Sequence, residues 1–231
     1  MTKINAWAAG PLVRAAREIL IVTIGILIAF ALNTWWENRK ELRQEQEHLV
    51  ALRIDFERNR GQLDQLIKEE RRIASVCDAL LNISRHADKA PASEIRTLMH
   101  GVFTSKRFEP VMGAYEALVN SAGLTVVRND KLRSALAGFA ASVNGRYGER
   151  FADEMYFSFI REFMGRLQLG AELVGAEPSA KGYAALLDDP RFVEYLAIRG
   201  RMEGQVASLY EEQLHLCDQI LELLKQETLT P

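Results

Sequence analysis

Two pairs of residues have the spacing of metal ligands, Glu45-x-x-His48 and Glu212-x-x-His215. Residues three apart on a helix share a face, so each pair would offer one carboxylate and one imidazole to an ion. Two such pairs on facing helices, joined by two further glutamates, build the di-iron carboxylate centre of some four-helix bundles. The chemistry would be redox, and a di-metal carboxylate, ferritin-like oxidoreductase is the enzymatic alternative for this chain. The surroundings weigh against it. The helical stretches are rich enough in Glu for such spacings to arise by chance. Both histidines fall beside the apolar seams, and no further inward pair of glutamates stands out to complete a ligand set. The reading carried forward has no metal, no cofactor and no catalytic residue.

The other reactive side chains are isolated. His86 and His100 have no companions at ligand spacing and read as loop and helix surface. Cys77 and Cys217 are too few for a disulfide scaffold or an all-cysteine zinc site. If the long helices that carry them pack antiparallel, the two thiols lie far apart and act as small buried apolar groups. No G-x-x-x-x-G-K, G-x-G-x-x-G or G-x-S-x-G occurs, so neither a phosphate loop nor a hydrolase elbow is indicated. Arg71-Arg72 and Lys106-Arg107 are short basic runs of a solvated surface. With 29 Lys and Arg against 31 Asp and Glu, the net charge of −2 argues against nucleic-acid binding through an overall positive field.

The chain has 231 residues, 48% of them hydrophobic and 26% charged, a composition that folds. Its apolar material is unevenly placed. Between Glu18 and Glu37 no charged residue occurs, and the run Ile19 to Leu32 is apolar on every face of a helix. Eighteen uncharged residues are enough to cross a hydrocarbon core. Ile19, Leu20, Ile24, Gly25, Leu27 and Ala29 form the body of this anchor, and Trp35 and Trp36 mark its far end at headgroup level. Arg14 and Arg17 precede it; Arg39, Lys40 and Arg43 follow. A cleaved signal peptide is the competing reading, because Ala29-Phe30-Ala31 has the small-x-small form of a cleavage site. Against it, the chain runs on from Leu32 into strongly helical sequence without a break.

The expected division is a flank over 1–17, a transmembrane helix over 18–36 and a helical soluble domain over 37–231. Leu42, Leu49, Leu52, Phe56, Leu63 and Leu66 form a coiled-coil-like seam interrupted by Glu45 and Asn59, within a helix from Glu37 to about Ser84. Gly61 is a possible bend. Ser93 should cap a helix from Glu94 to Phe103. A helix from Val111 to Ser121 should stop at Gly123. Leu124 to Val127 is the one β-like run, too short to found a sheet. Asn129 or Asp130 should cap a helix burying Leu132, Leu136, Phe139 and Val143. A helix from Glu149 to Leu173 should bury Phe151, Met155, Phe159, Phe163 and Leu167, and Glu177 to Gly182 should be loop. Asp189-Pro190 opens the last helix, with a seam of Met202, Val206, Leu209, Leu216, Ile220 and Leu223. The fold class is therefore all-α: one N-terminal transmembrane helix continuing into an antiparallel bundle with two long helices and shorter middle ones.

The segment Arg17-Glu18-Ile19-Leu20-Ile21-Val22-Thr23-Ile24-Gly25-Ile26-Leu27-Ile28-Ala29, followed by Leu32-Asn33-Thr34-Trp35 and Glu37-Asn38-Arg39-Lys40, resembles the opening of a widespread family of uncharacterised bacterial single-span membrane proteins. Tyr115-Glu116-Ala117-Leu118, Ser121-Ala122-Gly123-Leu124, Arg128-Asn129-Asp130 and Leu132-Arg133 resemble the same family, and Phe30-Ala31 departs from its pattern. The resemblance implies a retained anchor and no defined activity. The expected protein is a non-enzymatic, single-pass protein of the bacterial inner membrane, its soluble domain on the periplasmic side. Its partners are the lipid bilayer and an unidentified protein. Gly25 and Ala29, four apart, would let two spans approach as a homo-oligomer.

Overall fold

The structure, a computed structural model, describes residues 9–86, 90–121, 123–145, 147–167 and 180–229. It is helical, with no strand among the described residues. In chain order the helices are α1 (Ala9–Arg85), α2 (Ala92–Val102), α3 (Gly113–Ser121), a 3-10 turn (Leu124–Val126), α4 (Asp130–Asn144), α5 (Tyr147–Leu167), α6 (Ala180–Leu186) and α7 (Pro190–Leu229). Proline placement explains much of this division. No proline lies between Pro11, in the first turn of α1, and Pro91, so nothing removes a backbone donor or breaks the helix over its 77 residues. Gly61 sits inside α1 without ending it.

The chain divides into two units, Met1–Val50 and Ala51–Pro231. In the first, the side chains from Ala16 to Gln44 are exposed, the whole apolar run among them.

In the second unit, α1 and α7 run antiparallel. Arg60 Nε lies 2.7 Å from Asp218 Oδ1, Arg71 pairs with Glu211, and Gly200 backs onto Cys77. Partners thus descend along α7 as they ascend along α1. The buried row of α1 here is Leu52, Phe56, Asn59, Leu63, Leu66, Glu70, Ile73, Cys77 and Leu80. That of α7 is Arg199, Glu203, Val206, Tyr210, Gln213, Cys217, Ile220 and Leu224. Both alternate steps of three and four, the spacing that keeps a seam facing its partner.

Two findings correct the expected seams. Leu42 and Leu209 are exposed. The positions that looked like interruptions, Glu45 and Asn59, are buried, as are the charged residues Glu70, Arg199 and Glu203.

The shorter helices close over this pair. Phe159, Phe163, Phe192, Leu196, Ile95 and Met99 join Ile73, Cys77 and Leu80 in one core, and Phe56 of α1 meets Phe139 of α4 edge-on at 4.9 Å. Asn129 caps α4, its side chain accepting from the N–H of Lys131 and Leu132. Gly123, at φ 75°, takes a backbone conformation suited to glycine and donates its N–H to Leu118 O at 3.0 Å, closing α3.

Other expectations change. Pro91, not Ser93, precedes α2, and no side chain caps it. Leu124 to Val126 forms a 3-10 turn, too short and isolated to pair as a strand. Phe151 is exposed, one step off the buried stripe of α5. Ala180, Lys181 and Gly182 are helical, in the first turn of α6. The expected helical residues 168–173 and loop residues 87–89 and 177–179 lie outside the described residues.

Candidate functional site

The ten residues from Phe103 to Met112, between α2 and α3, are not helical, and Phe108 among them is fully buried. An irregular backbone inside a bundle needs partners for its N–H and C=O groups. The polar seam residues supply them. Asn59 Oδ1 accepts from Val111 N–H at 2.7 Å while Asn59 Nδ2 donates to Val111 O at 2.9 Å. The Tyr210 hydroxyl accepts from Phe108 N–H at 3.1 Å. Arg199 Nη2 donates to Thr104 O at 2.6 Å, and the Tyr156 hydroxyl to Phe103 O at 2.9 Å. One turn before Asn59 on α1, Asp55 Oδ2 accepts from Ala114 N–H at 2.8 Å and so caps α3 from another helix.

This strap delivers Arg107 to a cluster of charges. Its Nη1 lies 3.1 Å from Glu70 Oε1 and 3.2 Å from Glu203 Oε2, and its Nε lies 2.8 Å from Asp153 Oδ1. Arg199 Nη1 lies 3.3 Å from Glu203 Oε1, and its guanidinium stands 4.5 Å from the centre of the Tyr156 ring. Glu70 and Glu203 are almost wholly shielded, at 0% and 1% side-chain exposure. Burial first, then the adjacent Glu203 carboxylate, pushes the Glu70 carboxyl up to about 9, against the pull of Arg107 and Arg199. With Glu70 protonated, two guanidinium groups face the side chains of Glu203 and Asp153. Among the described residues, Glu70 Oε2 and Arg199 Nε have no hydrogen-bond partner. Beside Arg199 and Glu203 the free space is about 10 Å³, which admits a water and no substrate. The arrangement pins the strap to α1, α5 and α7.

Glu45 is buried and His48 half-buried in the first unit, while Glu212 and His215 are exposed on α7 in the second. His215 Nε2 lies 3.0 Å from the Gln219 amide. Among the described residues no group of three or more His, Cys, Asp or Glu side chains is gathered as a metal would need. His86 Nδ1 sits 2.7 Å from Asn82 O, and His100 meets the Tyr183 ring edge-on. Cys77 and Cys217 are free and buried.

Ile19, Leu20, Ile24, Leu27, Trp35 and Trp36 are all exposed, and α1 contains a stretch long and apolar enough to cross a membrane, none of it buried. Sequence reasoning missed Glu70, Arg107, Asp153, Arg199 and Glu203. The signal for three of them was positional, since Glu70, Arg199 and Glu203 occupy seam steps.

A family of unknown function, DUF6090, matches residues 18–162. The chain belongs to this family. The match takes in the apolar run, the strap with Arg107, and most of α5; α7, with Arg199 and Glu203, lies outside it. No curated protein and no solved structure matches the chain.

Proposed function

We propose that this member of DUF6090 is a single-pass protein of the bacterial cytoplasmic membrane whose helical domain acts by binding, as a scaffold or interaction module, and not by catalysis. Residues 18–36 are the transmembrane helix, and the domain that follows lies on the periplasmic side. The observation that carries the reading is the exposure of the apolar run, with Ile19 at 67%, Leu27 at 62% and Phe30 at 68% and nothing among the described residues covering them. In water such a continuous apolar surface is unfavourable by roughly 25 cal/mol for each Å² left wet. In hydrocarbon it is the preferred state, and the helix satisfies its own backbone groups there. The flanks support the same reading, with Trp35 and Trp36 followed by Arg39, Lys40 and Arg43. Within the domain, the buried charges are engaged with the strap and with each other, which supports a structural role for them. A protein partner, or a second copy meeting through Gly25 and Ala29, belongs to the same proposal.

The test is fractionation of cells making the full-length chain, with an alkaline carbonate wash of the membranes. The chain should stay in the washed pellet with its N-terminal residues intact by mass spectrometry. Recovery in the soluble fraction, or a mature chain beginning at Leu32, would overturn the anchor.

A further inference from the structure

The helix that leaves the apolar run is not evenly charged around its circumference. Trp35, Arg39 and Arg43 follow one another at intervals of four, and Trp36 and Lys40 form the adjacent row. At 3.6 residues per turn these five side chains occupy an arc of about 140°. Glu37 and Glu41 fall about 200° and 240° round from Trp35, on the other side. Glu37 Oε1 accepts from Asn33 Nδ2 at 3.0 Å. The Arg39 guanidinium lies 5.4 Å from the centre of the Trp35 ring. Among the described residues, none of Arg39, Lys40 and Arg43 has an ion-pair partner within 4 Å, a state they share with other surface cations such as Arg58 and Arg201. The five side chains border a hollow of about 630 Å³. Glu47, about 120° round, is an acid on the same arc, one turn beyond Arg43 and farther from the apolar run. A one-sided group of three cations beside two indoles, with a single acid at its far end, is a receptor for an anion with an apolar body attached.

We propose that this face binds the headgroup of an anionic phospholipid. The inference rests on the anchor reading above and names what the anchor meets where it leaves the hydrocarbon. Geometry favours lipid over an acidic protein. Helical side chains lean toward the N-terminus of their helix, which here is toward the apolar run. Arg39, Lys40 and Arg43 therefore reach back toward the phosphates, with their aliphatic stems along the membrane surface. The indoles sit at headgroup level, and the phosphate is met by bidentate guanidinium groups and an ammonium.

The probe is bromine quenching of tryptophan fluorescence in the full-length chain. The chain has three tryptophans, so Trp7→Phe leaves only Trp35 and Trp36 to report. The protein is reconstituted in phosphatidylcholine vesicles holding a minor fraction of phosphatidylglycerol, with bromines on the acyl chains of one lipid or the other. At equal mole fraction, brominated phosphatidylglycerol should quench more strongly, corresponding to a roughly two- to five-fold local enrichment. The variant Arg39→Gln, Lys40→Gln, Arg43→Gln should still be quenched by brominated phosphatidylcholine but lose the preference. Equal quenching by both lipids in the parent chain overturns the headgroup site, leaves the anchor standing and points to an acidic protein as occupant. A preference that survives the triple variant overturns it as well. Quenching by neither lipid overturns the anchor and this site together.

Discussion

The side-chain amide of Asn59 on α1 pairs with the backbone amide of Val111 in both directions, donating at 2.9 Å and accepting at 2.7 Å. A buried asparagine thereby does for the strap what a neighbouring strand would do for an edge. Asn59→Leu should destabilise the full-length protein in detergent by about 2–4 kcal/mol, because two buried backbone groups lose their partners at once. Denaturant unfolding measures this. A loss below about 0.5 kcal/mol would mean that water reaches Val111 freely.

Glu70 and Glu203 should respond oppositely to neutralisation. Folding raises the Glu70 carboxyl to about 9 from about 4.5. Between those values the folded chain holds a proton that the unfolded chain has released, so this group's contribution is complete below about 4.5 and is lost as pH rises toward 9. Glu70→Gln, neutral at every pH, should gain stability relative to the parent as pH rises from 5 to 9, by at most about 1.4 kcal/mol per pH unit. Parallel stability curves for the two proteins would contradict a protonated Glu70.

Glu203→Gln strips the buried Arg199 and the largely shielded Arg107 of their shared carboxylate and should cost about 3–5 kcal/mol at neutral pH. Thermal unfolding in detergent reads this loss. A melting temperature within a degree of the parent's would show that Arg107 and Arg199 do not depend on the Glu203 carboxylate.

Most of the fold was legible in the sequence, and the misses share a cause. Helix positions followed from proline placement and from caps such as Asn129 and Asp189, which are local signals. The register of α7 did not. Its apolar residues occupy two adjacent rows, Met202-Leu209-Leu216-Leu223 and Val206-Tyr210-Cys217-Ile220-Leu224, and only the second is buried throughout. Arg199, Glu203 and Gln213 stand on that second row, so hydrophobicity alone diluted the true seam. What makes charged residues acceptable there is the strap, whose carbonyls and Arg107 arrive from more than ninety residues away in sequence. No local window contains that information. The apolar run needed none of it: its signal is length and the absence of charge.

Two glycines in long helices should behave in opposite ways. A Cβ on Gly61 meets nothing within 4 Å, so Gly61→Ala should stabilise by about 0.5–1 kcal/mol through helix propensity. A Cβ on Gly200 comes within 3.0 Å of Cys77 Cβ, a main-chain-bound atom that no rotamer change can move. Gly200→Val should force α1 and α7 apart and cost about 1–3 kcal/mol. Equal effects of the two changes on denaturation would refute the close approach.

Cys77 and Cys217 are buried, and burial pushes each thiol up to about 12. Cys77 faces Gly200, and Gly200 and Cys217 are separated by roughly 25 Å along α7 at 1.5 Å per residue. No disulfide should form under oxidising conditions. A maleimide at pH 8 should label neither residue in the folded chain and both after unfolding. Rapid labelling of the native protein would place these residues at a surface.

The most direct examination of the anchor is collision accessibility of spin labels at Ile24→Cys, Leu27→Cys and Val50→Cys, each in a Cys77→Ala, Cys217→Ala background and reconstituted in lipid vesicles. The account predicts that labels at positions 24 and 27 collide readily with oxygen and scarcely with a water-soluble nickel chelate, and that the label at position 50 shows the reverse. Free access of the chelate to positions 24 and 27 would contradict a span through hydrocarbon.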